Sequence, residues 1–182
     1  MVAFRINSKQ FTRMEVFVPN STESSVLSSR PVCRALPPDI ASLFSQYRNS
    51  VETVIVDSDE LEPNFADLNP NLILLFNGLR GEQEVITSRE RIVRSKQLGV
   101  IRLGGKTFTG LLKEQKLALR LLSKPVGDQH ASILMCDGTV FSCKNGEFVL
   151  GLFLSGGILC WNRFYINGKA DRKWCSLLLS AV

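Results

Sequence analysis

The chain has 182 residues and a mass of 20.3 kDa, a size that fits one domain with its own hydrophobic core. Apolar residues make up 45% and charged residues 21%, so we expect the bulk of the chain to fold. The longest apolar run, residues 148–161, is interrupted by glycines and is shorter than the ~20 residues of a membrane helix. Because the N-terminus also lacks the apolar core of a secretory signal, we expect a protein of the nucleus or cytoplasm with no membrane contact.

The net charge of +5 is unevenly distributed along the chain. Residues 1–88 carry 7 basic and 11 acidic side chains, residues 89–124 carry 10 and 2, and residues 125–182 carry 5 and 4. All of the basic excess therefore lies in residues 89–124, which we call the basic segment. Residues 52–67 contain six acidic and no basic residues and form the acidic segment. We expect these two segments either to pair within the molecule or to contact a charged partner.

The N-terminal part of the chain divides into two short regions ahead of the main domain. Residues 1–19 alternate apolar and polar side chains around a central Asn-Ser-Lys, which predicts an N-terminal hairpin. Residues 20–38 are rich in serine and proline and are typical of a linker or loop. We therefore assign a single β-rich domain to residues 39–182.

A short helix is predicted at the start of this domain. Asp39 follows two prolines and is suited to accept hydrogen bonds from the amide groups of a first helical turn. Apolar side chains follow at the spacing of one helical face: Ile40, Leu43, Phe44 and Tyr47. We expect this helix to pack on the sheet.

Three apolar runs in the middle of the chain are typical of strands: residues 51–56, 72–76 and 100–103. The second ends at Asn77-Gly78 and the third at Gly104-Gly105, and both dipeptides favour turns.

Residues 110–124 contain strong helix formers, lack β-branched side chains and end before Pro125, which favours a helix. The alternative is a turn at Lys113-Glu114-Gln115 followed by a strand, because leucines alternate along residues 117–121. Both interpretations stay open at the level of sequence.

From Ala131 onward, apolar runs are separated by dipeptides that are typical of two-residue hairpin turns. These dipeptides are Asp137-Gly138, Asn145-Gly146, Gly156-Gly157 and Asn167-Gly168. The pattern predicts a meander of five strands. Joined to the earlier strands, it predicts a mainly β fold, a small barrel or barrel-sandwich with one or two helices.

No catalytic or metal-binding motif emerges from the sequence. His130 is the only histidine, lies in a polar turn and is expected to be a solvated loop residue. The five cysteines show no Cys-x-x-Cys spacing, so we expect core packing for most of them. Gly104-Gly105-Lys106-Thr107 is similar to the end of a phosphate-binding loop, but the first glycine of that motif is missing and a plain glycine turn is expected. We therefore predict a protein that is not an enzyme and that needs no cofactor.

Candidate contacts for a partner come from the basic segment and from the C-terminal aromatic residues. They are Arg89, Arg91, Arg94, Lys96, Arg102, Lys106, Trp161, Phe164, Tyr165 and Trp174. The aromatic residues are not interleaved with the charges, which favours protein partners over single-stranded nucleic acid. We expect a non-catalytic intracellular adaptor or scaffold in a multiprotein complex. The alternative is an OB-like barrel that binds single-stranded nucleic acid through the basic segment.

Residues 133–182 resemble the Abitram/Simiate family, which is similar in fold to the glycine-cleavage H protein. The resemblance rests on an apolar run before Asp137-Gly138, a turn at Gly146 and a final Trp-Cys-Ser-Leu-Leu-Leu strand. It implies a lipoyl-like barrel-sandwich that is non-enzymatic, binds actin and is largely nuclear. The chain departs from the family pattern at residues 148–150, which are apolar where Asn or Glu is expected, and at residues 110–124, which have no counterpart.

Lys144 lies in a hairpin turn, the position of the lipoylated lysine in lipoyl domains. The Asp-Lys sequence of modified sites is missing there, so we expect an ordinary exposed turn lysine.

Overall fold

The structure is a computed structural model, which describes residues 36–45 and 53–180. The predicted N-terminal hairpin, residues 20–35 of the predicted linker and Tyr47 of the predicted first helix lie outside the described residues.

The described residues form four α-helices, eleven β-strands and two short 3₁₀ helices. The helices are α1 (Pro38–Ser45), α2 (Ser88–Gln97), α3 (Gly105–Lys113) and α4 (Gln115–Leu122). The first six strands are β1 (Val54–Ser58), β2 (Ile73–Phe76), β3 (Val85–Thr87), β4 (Ile101–Arg102), β5 (Pro125–Val126) and β6 (Gln129–His130). The remaining strands are β7 (Ile133–Cys143), β8 (Gly146–Ser155), β9 (Ile158–Tyr165), β10 (Lys169–Asp171) and β11 (Trp174–Leu179). The 3₁₀ helices are Phe65–Asp67 and Pro70–Leu72.

A seven-stranded mixed sheet organises the described residues. Its main path runs β2-β11-β7-β8-β9, with β1 added to β7 and β4 added to β11. β7 and β11 are parallel, and the other pairs in this sheet are antiparallel. The remaining strands form the small pairs β3-β10 and β5-β6.

The prediction of a mainly β fold is confirmed, because 41% of the described residues are in strands and 29% are in helices. The sheet does not close into a barrel, and the described residues contain four helices where the sequence predicted one or two. The additional helices come from the basic segment, which contributes α2, α3 and α4.

The five-strand meander is corrected by the structure, because Asp137-Gly138 lies inside the continuous strand β7. The pairing of β7 with β8 is irregular between Cys136 and Phe141, and Gly138 N donates to Leu103 O at 3.1 Å. A Cβ at Gly138 would lie 2.2 Å from the Arg102 carbonyl oxygen. This glycine therefore permits a close backbone approach and makes no turn, and the meander is limited to β7, β8 and β9.

Residues 110–113 and 115–122 are helical, which confirms the favoured interpretation for this segment. The helical region begins earlier, at Gly105, and is interrupted at Glu114, whose φ of −100° and ψ of 62° separate α3 from α4. The turn of the alternative interpretation therefore exists, but a helix follows it. The helix is stabilised because Leu117, Ala118 and Leu121 are buried on one side of α4.

The core has two parts, one on each face of β7 and β8. Phe44 of α1 contacts Phe141 and Phe148 of the sheet edge-to-face, with ring centroids 5.6 and 5.8 Å apart, so the predicted packing of α1 on the sheet is confirmed. The second cluster includes Val149 and Ile92, and therefore joins α2 to the opposite face. Burial on both faces explains why residues 148–152 of β8 are continuously apolar.

Candidate protein-interaction site

Arg91, a predicted partner contact, is fully buried. Its Nε lies 3.4 Å from Asp137 Oδ2, and its Nη1 and Nη2 donate to Trp174 O at 3.2 Å and Ser88 Oγ at 3.3 Å. These contacts join α2 to β7 and β11. Arg91 is therefore a structural residue in this fold.

Asp137 is the centre of this buried polar network. Its Oδ2 also accepts a hydrogen bond from Ser176 Oγ, and its carbonyl oxygen accepts one from Arg102 Nη1 at 3.1 Å. Its Oδ1 has no hydrogen-bond partner among the described residues. Burial raises the pKa of Asp137, while Arg91 and Ser176 act in the opposite direction.

The acidic and basic segments pair with each other within the molecule. Arg102 Nη1 lies 3.4 Å from Asp57 Oδ2, and Arg102 Nε lies 3.7 Å from Asp59 Oδ2. Lys96 Nζ contacts Asp57 Oδ2 at 2.8 Å. The sequence left open whether these charges meet each other or a partner, and the structure shows that these cations are neutralised by the chain itself.

The Gly-Gly-Lys-Thr sequence begins helix α3 and does not form the isolated glycine turn that was expected. Glu62 Oε1 accepts hydrogen bonds from Gly104 N at 2.7 Å and Thr107 N at 2.9 Å, and Lys106 Nζ donates to Glu62 O at 2.9 Å. A carboxylate of the acidic segment therefore holds the position that an anion would take at this helix N-terminus.

The two remaining candidate cations also have partners. Arg89 forms an ion pair with Glu147 at 3.0 Å, while Arg94 donates to Gln83 Oε1 at 2.8 Å and contacts Glu90. All six predicted basic contacts are thus bonded within the chain, although Arg89 and Lys96 keep about half of their side-chain surface exposed.

The four predicted aromatic contacts do not form one surface. Trp161 packs on Phe44 and Phe108 at centroid distances of 6.4 and 5.8 Å, on the face of the sheet that α1 and α3 cover. Phe164 and Trp174 contact each other at 5.0 Å in the second cluster, and both are partly buried. Tyr165 is 40% exposed. The structure therefore places these rings on two different faces.

Helix α4 presents a different surface, which the sequence analysis did not single out. Lys116, Leu119 and Arg120 are exposed on its outer side. The side chains of Lys116 and Arg120 form no hydrogen bond or ion pair with the residues that the structure describes. In the sequence, only their position in the basic segment indicated that these two cations could contact a partner.

Two shallow grooves flank α4. The apolar groove, of about 340 Å³, is lined mainly by Leu119, Leu122, His130, Ala131 and Leu154. The mixed groove, of about 560 Å³, is lined mainly by Phe65, Leu68, Pro70, Lys116, Leu117 and Arg120.

Two positive charges, those of Arg120 and Lys124, lie near each other at the C-terminal end of α4. Burial lowers the pKa of Lys124, and the positive charge of Arg120 lowers it further. Lys124 Nζ donates to the backbone oxygen of Ile73 at 3.4 Å, and no carboxylate of the described residues forms an ion pair with it. Arg120 and Lys124 therefore repel each other at this end of the helix.

His130 lies at the apolar groove, and its Nδ1 hydrogen-bonds the backbone oxygen of Ser123 at 2.9 Å. Across residues 36–45 and 53–180, no three His, Cys, Asp or Glu side chains are placed to hold a metal ion. In the same part of the chain, no helix is long and apolar enough to cross a membrane.

Comparison with known proteins gave no match to a family model, to a curated protein or to a solved structure. The resemblance to the Abitram/Simiate family stays a prediction.

Proposed function

We propose that this chain is a non-catalytic adaptor domain that acts through protein-protein contacts in an intracellular complex. The observation that carries the proposal is the pair of exposed leucines at the apolar groove. Leu119 is 40% exposed and Leu154 is 45% exposed, and they line the same groove from a helix and from a strand. Large apolar side chains that share one surface groove are typical of protein-binding sites.

The charge distribution favours a protein partner over single-stranded nucleic acid. Binding to a phosphate backbone requires several cations that converge on one groove and displace counterions. Arg91 and Arg102 are buried, and Asp57 and Asp59 neutralise Arg102 and Lys96. These residues were the basis of the nucleic-acid alternative, and their engagement within the chain makes it the weaker of the two functions.

The experiment is affinity capture of the tagged chain from cells, with chemical cross-linking and mass spectrometry to locate the contacts. We expect Leu119→Asp and Leu154→Asp to release the captured partner, because removing a carboxylate from water at an apolar interface costs free energy. Leu61→Asp is the matched control, since Leu61 is 73% exposed and lines neither groove.

Loss of the partner in all three variants, or in none, would contradict the proposed use of the apolar groove. A filter-binding titration with single-stranded DNA and RNA tests the alternative in parallel. Binding that weakens steeply as salt increases, with no captured protein, would replace the adaptor function by nucleic-acid binding.

A further inference from the structure

The mixed groove has an apolar floor that is fixed by close packing. Phe65 lies directly on Gly110 of α3, where a Cβ would be 1.9 Å from the Phe65 ring. Only a glycine allows the ring to lie this close to the helix. Leu68 and Leu117 are each 8% exposed and form the base of the groove beside this ring. The floor is therefore rigid and apolar.

Two cations stand at the edge of this floor. Lys116 and Arg120 are four residues apart on α4, so their side chains project from the same side of the helix. Neither is bonded to a carboxylate among the described residues, and Lys124 adds a further positive charge next to Arg120. A bound anion would relieve the repulsion between these charges.

We propose that the mixed groove binds an acidic segment of a partner protein, with carboxylates at Lys116 and Arg120 and one apolar side chain on the Phe65 and Leu117 floor. This inference rests on the proposed adaptor function and names the chemistry of the segment that the adaptor recognises.

A peptide fits this groove better than a nucleic acid does. Phe65 is its one aromatic side chain, and the packing of this ring on Gly110 covers one of the two faces that a base could use for stacking. Glu114 lines the groove and would repel a continuous phosphate backbone. A peptide can place its carboxylates at the two cations and leave Glu114 facing solvent.

The test is fluorescence anisotropy of the full chain with a labelled synthetic peptide of about 12 residues that alternates Asp or Glu with Leu. We expect salt-dependent binding, and a loss of at least roughly tenfold in affinity for the double variant K116E/R120E, because charge reversal turns two attractions into repulsions. K169E/R172E is the matched control, since it changes the net charge equally at exposed residues that do not line the groove. Circular dichroism checks that both variants fold.

Three results would overturn the inference. They are no peptide binding at low salt, an equal loss in the two double variants, and equal binding of a peptide with Asn and Gln in place of its acidic residues. Tighter binding of an oligothymidylate of about 20 nucleotides, lost in K116E/R120E, would also overturn it in favour of nucleic acid.

The captured complex separates this inference from the adaptor function. A complex that survives K116E/R120E but not Leu119→Asp would keep the adaptor function and reject the acidic segment. Absence of any captured protein partner would reject the adaptor function itself.

Discussion

Asp137 accepts hydrogen bonds from three different elements, two at its buried carboxylate and one at its backbone oxygen. Arg91 of α2 and Ser176 of β11 contact its Oδ2, and Arg102 of β4 contacts its backbone oxygen. Elements that are distant in sequence therefore meet at this one residue, and α2 and β11 meet at its carboxylate. Removal of such a group leaves the guanidinium of Arg91 buried without a counter-charge.

We predict that Asp137→Ala lowers the free energy of unfolding by about 3–5 kcal/mol, because Arg91 stays buried and unpaired. Asp137→Asn should cost less, because its amide oxygen can still accept from Ser176 and Arg91. Urea unfolding measures both variants, with the exposed Asp128→Ala as the control. Equal effects of Ala at positions 137 and 128 would contradict the structural role of Asp137.

The pH dependence of stability should also report on Asp137. Burial raises its pKa in the folded chain above the ordinary value of about 3.9, so the folded state holds the proton more tightly than the unfolded state. The contribution of the protonated Asp137 carboxyl to the stability of the folded chain is fully present below pH ~4. It is lost as the pH rises through the raised pKa. The unfolding free energy of the native chain minus that of Asp137→Asn should therefore fall as the pH is raised from about 4. A difference that rises instead would contradict this sign.

The cysteines should differ in reactivity because they differ in burial. Burial raises the pKa of Cys175 to about 12 and that of Cys136 well above its usual range, so both thiols stay protonated at about pH 8. Cys143 and Cys160 are partly exposed. We predict that iodoacetamide labels Cys143 and Cys160 in the native protein, and Cys136 and Cys175 only in denaturant. Mass spectrometry of tryptic peptides measures this, and rapid native labelling of Cys175 would contradict it.

At the scale of elements, the N-terminus of helix α3 is capped by a side chain that lies outside the helix. Its N-cap position is Gly104, which has no side chain to accept hydrogen bonds from the first turn. Glu62 supplies the missing acceptor for Gly104 N and Thr107 N and is 5% exposed. The acidic segment is thereby attached to the start of the helical region, and the same loop carries Phe65 to the mixed groove.

We predict that Glu62→Ala destabilises the chain by about 1–3 kcal/mol, because two buried amide groups at the start of α3 lose their acceptor. Hydrogen exchange should show the loss locally, with faster exchange at residues 104–107 than in the native chain. The exposed Glu82→Ala is the control for the change in charge. Unchanged exchange in α3 after Glu62→Ala would be inconsistent with a capping role.

At the scale of the whole molecule, the internal pairing of the acidic and basic segments affects how strongly the protein binds other charged molecules. The pI of about 9.1 alone would predict binding to polyanions. Asp57 contacts both Lys96 and Arg102, so one carboxylate masks two cations. The effective positive charge of this surface is therefore lower than the sequence indicates.

We predict that Asp57→Asn elutes from a heparin column at higher salt than the native chain, because Lys96 is no longer neutralised. Asp128→Asn produces the same change in net charge at an exposed turn residue that pairs with neither segment, and it should shift the elution less. Identical shifts in the two variants would mean that net charge, and not the pairing, controls polyanion binding.

Features that depend on a few neighbouring residues were predictable from the sequence. The first helix follows from Pro38, Asp39 and the spacing of Ile40 and Phe44, and the helical region at 110–124 follows from its composition. The Gly156-Gly157 turn also follows, because both residues have the positive φ that hairpin turns require. Helix propensity, apolar spacing and turn geometry operate over about four residues, so a single sequence contains them.

The candidate site was decided by contacts between distant parts of the chain. In the sequence, Arg91 is interpreted as a surface cation. In the folded chain, β7 places Asp137, which is 46 residues further along, beside it. Leu154 lies in an apolar run of the sequence, yet it is exposed at a groove whose other wall is α4. The dipeptide Asp137-Gly138 predicts a turn, but Gly138 lies inside a strand. A glycine is needed there because the backbone of Arg102 lies too close for a Cβ. Burial and charge pairing depend on which surfaces the folded chain brings together, and that information is distributed over the whole sequence.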